Sequence, residues 1–576
     1  MDAKDVKTYN SVKEVINATV AQYKNDVAFR VKVKAGKDPE YKDYTFGEFL
    51  DNVNAVGSAF YKAGLKGKRI AIVGRNQYYW VVPHIACLIG GIVSVPVDKE
   101  LPLGELEDSL VRAEVDAIVF DSKYKENIDT IRSNGKTTIK EYFCMNDKLD
   151  GMTSVEELIK EGEAVIASGD NSFIECQPDP SRMAILLFTS GTTSKSKAVM
   201  LSDHGIAVNV SDLLATEIFR EHCTNIAFLP YHHILGSTGM LFCIADGMRT
   251  VFSDGIRYIQ QNFSEYGVDF FLGVPALVDK MYESVEKGIA KQGKTKAVAF
   301  AKKLSRFLLF FHIDVRRKLF GSIIQQLGGN LNYIISGGAP LSARVAEGFH
   351  DFGIEIYQGY GLTETSPVLA AENYQYHKFG SIGKALPHVT AEMKDKGEDG
   401  MGELCVKAPN VMLGYYKNEE LTNEVIDKDG WFHTGDLGYI DKDGFIFLTG
   451  RKKDMIVLKN GKKAFPEEIE MLINRLPGVL DSFVYGEPID GDYTDLRICC
   501  EVQFDKKACK ELYGEDESAI RDGIWNSIKE LNQTIPHYKR VTDLYLTEED
   551  FIKTTSLKIK RKEELQRVLK AKALIK

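Results

Sequence analysis

The chain reads as an α/β protein. It has a large N-terminal domain of several subdomains with mostly parallel sheets and a β subdomain, then a small α+β C-terminal domain. Three observations predict this. Short apolar runs of strand length alternate with stretches of helical period up to Tyr357. A turn-rich region from Lys394 to Gly450, punctuated by Asp-Gly pairs, then fits short β segments. Composition changes again at Arg451-Lys452-Lys453-Asp454, a polar break ahead of a compact tail. The domains are therefore expected at 1–450 and 451–576.

Thr45-Phe46-Gly47-Glu48 is a capping box, so a helix should open there. Phe49, Val53, Val56 and Phe60 keep helical spacing, and Gly64 closes the run. Strands are expected at Ile70–Val73, Ile92–Val97, Ala117–Phe120 and Ile185–Phe188. They resume at Ile226–Leu229, Val268–Val274, Leu331–Ser336 and Ile354–Tyr357. Asp399-Gly400, Asp429-Gly430 and Asp443-Gly444 supply turns to the later region.

At 576 residues the chain exceeds one ordinary core. A hydrophobic share of 44% with 27% charge fits a soluble globular protein. A net charge of −9 argues against nucleic acid as the main partner. The nine cysteines show no CxxC spacing, which reads as free thiols in a reducing cytoplasm. No secretory signal and no run of 18 apolar residues is expected, so the reading is cytoplasmic, without a transmembrane span.

After the apolar run Ile185–Phe188 comes Thr189-Ser190-Gly191-Thr192-Thr193, then Ser194, Lys195 and Lys197. Glycine lets backbone N–H groups approach oxygen, hydroxyls donate, and lysine adds positive charge, so such a loop can hold a polyphosphate. It can equally be a plain surface turn. Ala198 after Lys197 excludes a Walker A loop, which needs a hydroxyl there. Downstream stand Ser336-Gly337-Gly338-Ala339-Pro340-Leu341, Tyr357-Gln358-Gly359-Tyr360-Gly361-Leu362-Thr363-Glu364, Gly430-Trp431-Phe432-His433-Thr434-Gly435-Asp436, Gly450-Arg451 and KTTSLKIKR from Lys553.

This ordered set resembles the adenylate-forming superfamily, most closely its long-chain acyl-CoA synthetases. Ser194, Ser196 and Ala198 stand where members often have Gly, Pro and Gly, and Leu557 where many have Gly. The resemblance implies ATP, Mg²⁺ and CoA. It places Thr189, Ser190, Gly191, Thr192, Thr193, Gly338, Ala339, Pro340, Gln358, Gly359, Tyr360 and Gly361 around the nucleotide. Tyr360 offers adenine a ring face, though a GYG tyrosine can also be a core residue. Thr363 and Lys197 meet phosphate, and Glu364 is a hard oxygen ligand for Mg²⁺. Asp436 accepts the ribose hydroxyls and Arg451 reaches the same sugar. Lys558 is the expected catalytic cation, against the reading of a solvated basic tail. Rotation about Lys453 and Asp454 would bring Gly461 to the CoA step, with Lys462 replacing a glutamate common in relatives.

For the acid, the resemblance points to a pocket gated by His233 and walled by Gly273 and Gly337; a buried structural histidine is the competing reading. These stretches carry no charge to pair with a polar substituent, which favours a hydrocarbon, fatty-acid tail. Finally, residues 291–320 hold nine basic residues against one acid, Asp314, interleaved with Phe300, Phe307, Phe310 and Phe311. That composition suits peripheral contact with the inner membrane surface, or an ordinary helix laying its aromatics on the core. The function expected is ATP-dependent acyl-CoA synthesis through an acyl-adenylate. The alternatives are an acyl-AMP or acyl-carrier-protein ligase, or a non-catalytic nucleotide- and acyl-binding sensor.

Overall fold

The computed structural model describes residues 7–36, 38–189, 196–216, 219, 222–398, 400–489, 492–554 and 558–575. The described residues pack as two compact units: positions 7–390 with 407–432, and positions 391–406 with 433–575. Strand Ile446–Arg451 lies against the start of helix Pro466–Ile473, with Gly450 facing Phe465 and Glu467. Packing therefore groups the sheet just upstream of the 450/451 junction with the C-terminal region.

The larger unit holds two sheets. In the first, Arg69–Val73 pairs in parallel with Val93–Val97 and Ala117–Phe120, and Val93–Val97 with Met183–Thr189. Met183–Thr189 then pairs antiparallel with Lys197–Ser202, which pairs with Gly414–Tyr415. In the second, Thr224–Ala227, Phe270–Gly273, Tyr333–Gly337 and Glu355–Gly361 run parallel in that order. Antiparallel Val368–Ala371 follows Glu355–Gly361. These strands are apolar on both faces because helices cover both.

The capping box at Thr45 is formed, with both reciprocal hydrogen bonds, and opens helix Phe46–Lys62. That helix packs on Val155–Ala167 at Gly162, where an added Cβ would sit 1.7 Å from the Ala55 carbonyl oxygen. The strand expected at Ile226–Leu229 instead spans Thr224–Ala227. Asn76 ends it early, donating to the Leu229 carbonyl at 2.7 Å and accepting from the Tyr231 amide at 3.0 Å.

The smaller unit has a four-stranded sheet containing the hairpin Phe432–Ile440 and Ile446–Arg451. It also has a three-stranded sheet of Val479–Ile489, Asp492–Phe504 and Asp543–Thr547. Helices Pro466–Ile473 and Glu517–Thr534 cover the latter through Ile469, Ile473, Ile520, Ile524 and Ile528.

Helix Thr295–Phe310 bears on the core-packing reading of residues 291–320. Only Ser305 on it is buried, whereas Phe300 is 69% and Phe310 80% exposed, with Phe307 and Phe311 exposed beside them. The aromatic face is not core packing. The basic residues divide. Lys302 and Arg306 reach inward to Asp351, at 3.4 and 2.6 Å. Arg316 pairs with Asp314 and Glu355, and Arg317 donates to the Leu331 carbonyl at 2.8 Å. Lys296, Lys303 and Lys318 stay at the surface. No helix among the described residues is long and apolar enough to cross a membrane.

Glu372 ends strand Val368–Ala371 and is 3% exposed. It accepts from the amides of Gln358 at 3.2 Å and Lys378 at 3.0 Å. Burial still pushes its carboxyl up from 4.5 to about 7. An acid raised on folding contributes stability that is complete below its unfolded value and is lost as pH rises through the folded one. The melting temperature of wild type minus that of Glu372→Gln should thus fall by roughly 2 °C or more between pH 5 and 8. A flat difference would show the carboxylate fully compensated by its donors.

Candidate active site

Three adjacent parallel strands of the larger unit carry glycines near their carboxyl ends. Gly273 pairs with Ser336, Ser336 with Gln358, and Gly337 with Gly359. The carboxyl edge of this sheet is therefore bare backbone, where α/β sheets bind ligands. Gly337 is tight: an added Cβ would lie 3.2 Å from Leu235 and 3.4 Å from the Gly359 carbonyl oxygen. Gly361 is tighter, with the Pro367 carbonyl oxygen 1.7 Å from its missing Cβ. Buried Gln358 ties the Gly338-Ala339-Pro340 turn to the sheet. Its Oε1 accepts from the Leu341 amide at 3.0 Å and its Nε2 donates to the Ser381 carbonyl at 3.0 Å. Tyr360 lies half-buried on strand Glu355–Gly361, next to these glycines.

His233 caps helix Ile234–Ala245 at its N-terminus, and its ring lies 4.4 Å from that of His232. His232 in turn stands 3.4 Å from Asp98. Leu235, next in the helix, touches Gly337, so the helix that begins at His233 leans on the glycine edge.

Thr363 and Glu364 open a short turn just after Gly361. The Glu364 carbonyl accepts from the Met412 amide at 2.8 Å, and its carboxylate accepts from the Tyr415 hydroxyl at 2.8 Å. Tyr415 also places its ring 4.8 Å from the Lys197 ammonium. Among the described residues neither Lys197 nor Glu364 forms an ion pair. A part-exposed carboxylate with one neutral donor is a hard oxygen ligand fit for Mg²⁺. The sequence reading missed Tyr415: a tyrosine after glycine in a turn-rich stretch carries no chemical cue.

Thr189 and Lys197 face each other across the paired strands, so they frame the Ser/Thr/Gly loop. Ser190, Gly191, Thr192, Thr193, Ser194 and Lys195 lie outside the described residues. Ser196 is fixed by Arg112, which donates to its carbonyl at 2.6 Å and its hydroxyl at 3.0 Å.

In the smaller unit, Asp436 and Arg451 face each other across the hairpin, with Arg451 Nε 2.8 Å from Asp436 Oδ1. One carboxylate oxygen of Asp436 thus lies on a cation, a geometry suited to neighbouring hydroxyls. Glu403, also missed, braces the same hairpin. It accepts from the Gly435 amide at 3.1 Å and from Lys452 at 2.9 Å, and His433 stands 3.5 Å away. The attraction of Lys452 and His433 holds its carboxyl below the usual range against the effect of burial. Asp454 closes a turn onto the Arg451 carbonyl at 3.2 Å, immediately after Lys453. Gly461 has φ +73° in the turn between Ile456–Val457 and Lys463–Ala464 and faces open space. Lys558 is exposed on a narrow loop closed by the Lys553–Ile559 bridge, its amide donating to Thr554 Oγ1 at 3.2 Å.

Two family models match this chain. "AMP-binding enzyme" covers residues 16–416, and "AMP-binding enzyme C-terminal domain" covers 453–570. The long-chain-fatty-acid–CoA ligase FadD15 of Mycobacterium bovis is 26% identical over 94% of this chain and 96% of its own length. The long-chain-fatty-acid–CoA ligase 5 of Rattus norvegicus is 27% identical over 78% and 70%. Among solved structures, the anthranilate CoA ligase AuaEII with anthranoyl-AMP superposes with a TM-score of 0.76 at 18% identity, covering 99% of both chains. ATP-bound MatB of Rhodopseudomonas palustris gives 0.73 at 24%, covering 97% and 99%. The solved structures share the fold. The first family model spans the stretches from Thr189 to Tyr415 and the second those from Lys453 to Lys558, and the chain belongs to the adenylate-forming AMP-binding enzymes.

Proposed function

We propose that this chain is an AMP-forming acyl-CoA synthetase acting on long-chain fatty acids. The supporting observation is the similarity to long-chain-fatty-acid–CoA ligases along 94% of the chain. In the first step a carboxylate oxygen of the acid attacks the α-phosphorus of ATP. The bond to the bridging oxygen breaks and pyrophosphate leaves with the electron pair. In the second, the CoA sulfur, freed of its proton, attacks the acyl carbon and AMP leaves. Adenine stacks on Tyr360, the ribose is held by Asp436 and Arg451, and Thr363 and Lys197 meet phosphate. Glu364 would hold Mg²⁺ carried by the nucleotide, which would offset phosphate charge. Lys558 meets the charge that develops in the first step, and residues 451–576 turn about Lys453 and Asp454 to expose Gly461 to CoA. The acyl chain enters past His233 between the walls around Gly273 and Gly337. ATP–pyrophosphate exchange over a panel of acids, with and without CoA, tests the whole reading. Exchange without thioester formation on CoA would reassign it to an acyl-AMP or carrier-protein ligase.

Lys558→Ala should abolish acyl-adenylate formation while largely sparing thioester formation from supplied acyl-AMP. Equal loss in both half-reactions, with the fold intact, would refute the two-state role of the lysine. Asp436→Ala should raise the KM for ATP by on the order of 30-fold or more, as for lost charge-assisted hydrogen bonds of about 2–3 kcal/mol. An unchanged KM would remove Asp436 from the site.

We also propose reversible membrane contact through residues 291–320. The exposed Phe300, Phe307 and Phe310 support it, with surface lysines at 296, 303 and 318. Each lysine near an anionic surface adds about 1 kcal/mol. Wild type should co-sediment with anionic vesicles at low salt and release at high salt. Changing the three lysines to Gln should weaken binding and flatten the salt dependence, and changing the three phenylalanines to Ser should weaken it at every salt. Equal binding by all three proteins, or none by wild type, would end the proposal. Lys302, Arg316 and Arg317 are unsuitable for this test, because they hold the protein together.

A further inference from the structure

We propose that Tyr415 is a positioning residue that keeps Lys197 and Glu364 apart and aimed at different parts of a metal–nucleotide substrate. The inference rests on the assignment of Glu364 to the metal and Lys197 to phosphate.

The problem it solves is electrostatic. A lysine ammonium and a glutamate carboxylate near each other in a half-buried site attract, and direct pairing would neutralise both. The carboxylate would then compete poorly for Mg²⁺ and the ammonium for phosphate. The side chain of Tyr415 occupies the place between them. Its hydroxyl donates to Glu364 Oε1 at 2.8 Å, and its ring lies 4.8 Å from Lys197 Nζ. Each charge is thus held by a neutral partner: the carboxylate by a hydrogen bond, the ammonium by the ring quadrupole. The second oxygen of Glu364 has no hydrogen-bond donor among the described residues.

The tyrosine is firmly held. It is 4% exposed. Its strand pairs with Lys197–Ser202, Tyr415 opposite Val199. Its amide donates to Thr422 Oγ1 at 2.9 Å, and Thr422 is anchored on the Asn418 carbonyl at 2.8 Å. The Met412 amide holds the Glu364 backbone from the same segment at 2.8 Å. Segment 412–415 therefore fixes Glu364 at both main chain and side chain, and does so from the strand next to the one that carries Lys197.

Two substitutions separate the two halves of this role. Tyr415→Phe keeps the ring and removes the hydroxyl. Tyr415→Leu removes both. Binding of a non-hydrolysable ATP analogue, measured by calorimetry with and without Mg²⁺, reads them without turnover. Tyr415→Phe should leave metal-free binding within about twofold of wild type and raise the Mg²⁺ concentration for half-maximal tightening by about tenfold. Tyr415→Leu should also weaken metal-free binding, because Lys197 is released to pair with Glu364. In Tyr415→Leu, adding Glu364→Gln should restore metal-free binding. Wild-type Mg²⁺ dependence in Tyr415→Phe would overturn the proposal. Glu364→Gln alone is the reference: if it too left the Mg²⁺ dependence unchanged, the metal assignment of Glu364 would be the part that failed. Thermal melts of each variant confirm folding, and a variant that melts early is replaced by Tyr415→Trp, which keeps a ring face and should retain metal-free binding.

Discussion

The larger unit depends on one constraint, the register of three parallel strands. Gly273 lies level with Ser336, and Gly337, one residue further on, pairs with Gly359 inside strand Glu355–Gly361; a side chain at Gly337 would press on Leu235 and the Gly359 carbonyl oxygen. A one-residue slip would turn every apolar residue to the other face. The neighbouring network secures the register. Gln358 bonds one loop and the Ser381 carbonyl, and Glu372 takes the Gln358 amide. The last of these bonds involves a carboxyl that burial makes reluctant to ionise, so the edge is held by a group whose charge is itself in the balance.

The hairpin of the smaller unit solves a parallel problem with charge rather than space. Asp436 and Arg451 are opposite each other, and Glu403 holds the flanking Gly435 and Lys452. In the proposed ribose role, the pair would be aligned before the sugar arrives, which would lower the ordering cost of binding.

Much of the fold was legible because its signals are local. The capping box at Thr45 and the four-residue run Ala117–Phe120 needed no tertiary information, and both stand as read. The motif residues were legible as a set, since their order along the chain constrains what each can be. What the sequence withheld was decided by contacts between distant segments. Strand Thr224–Ala227 stops where Asn76 intercepts it. Tyr415 and Glu403 matter only through partners far away or across a strand, and nothing in their own neighbourhoods says so. Residues 291–320 show the limit well. Composition marked a basic, aromatic segment, but not which face meets the protein; Asp351, claiming Lys302 and Arg306, turns the aromatics outward.

The distribution of the sulfur atoms has a practical consequence. All nine cysteines are free, and eight of them are buried. Burial pushes the thiols of Cys87, Cys243, Cys500 and Cys509 up, and that of Cys499 up to about 12, so few of their thiolates exist at neutral pH. Cys176, partly accessible in the larger unit, is left as the first to meet a maleimide dye. With Cys176 replaced by serine, the native fold offers a nearly silent background. A cysteine introduced at an exposed position of each unit would then carry a fluorophore pair, and energy transfer between them would test the rotation proposed about Lys453 and Asp454.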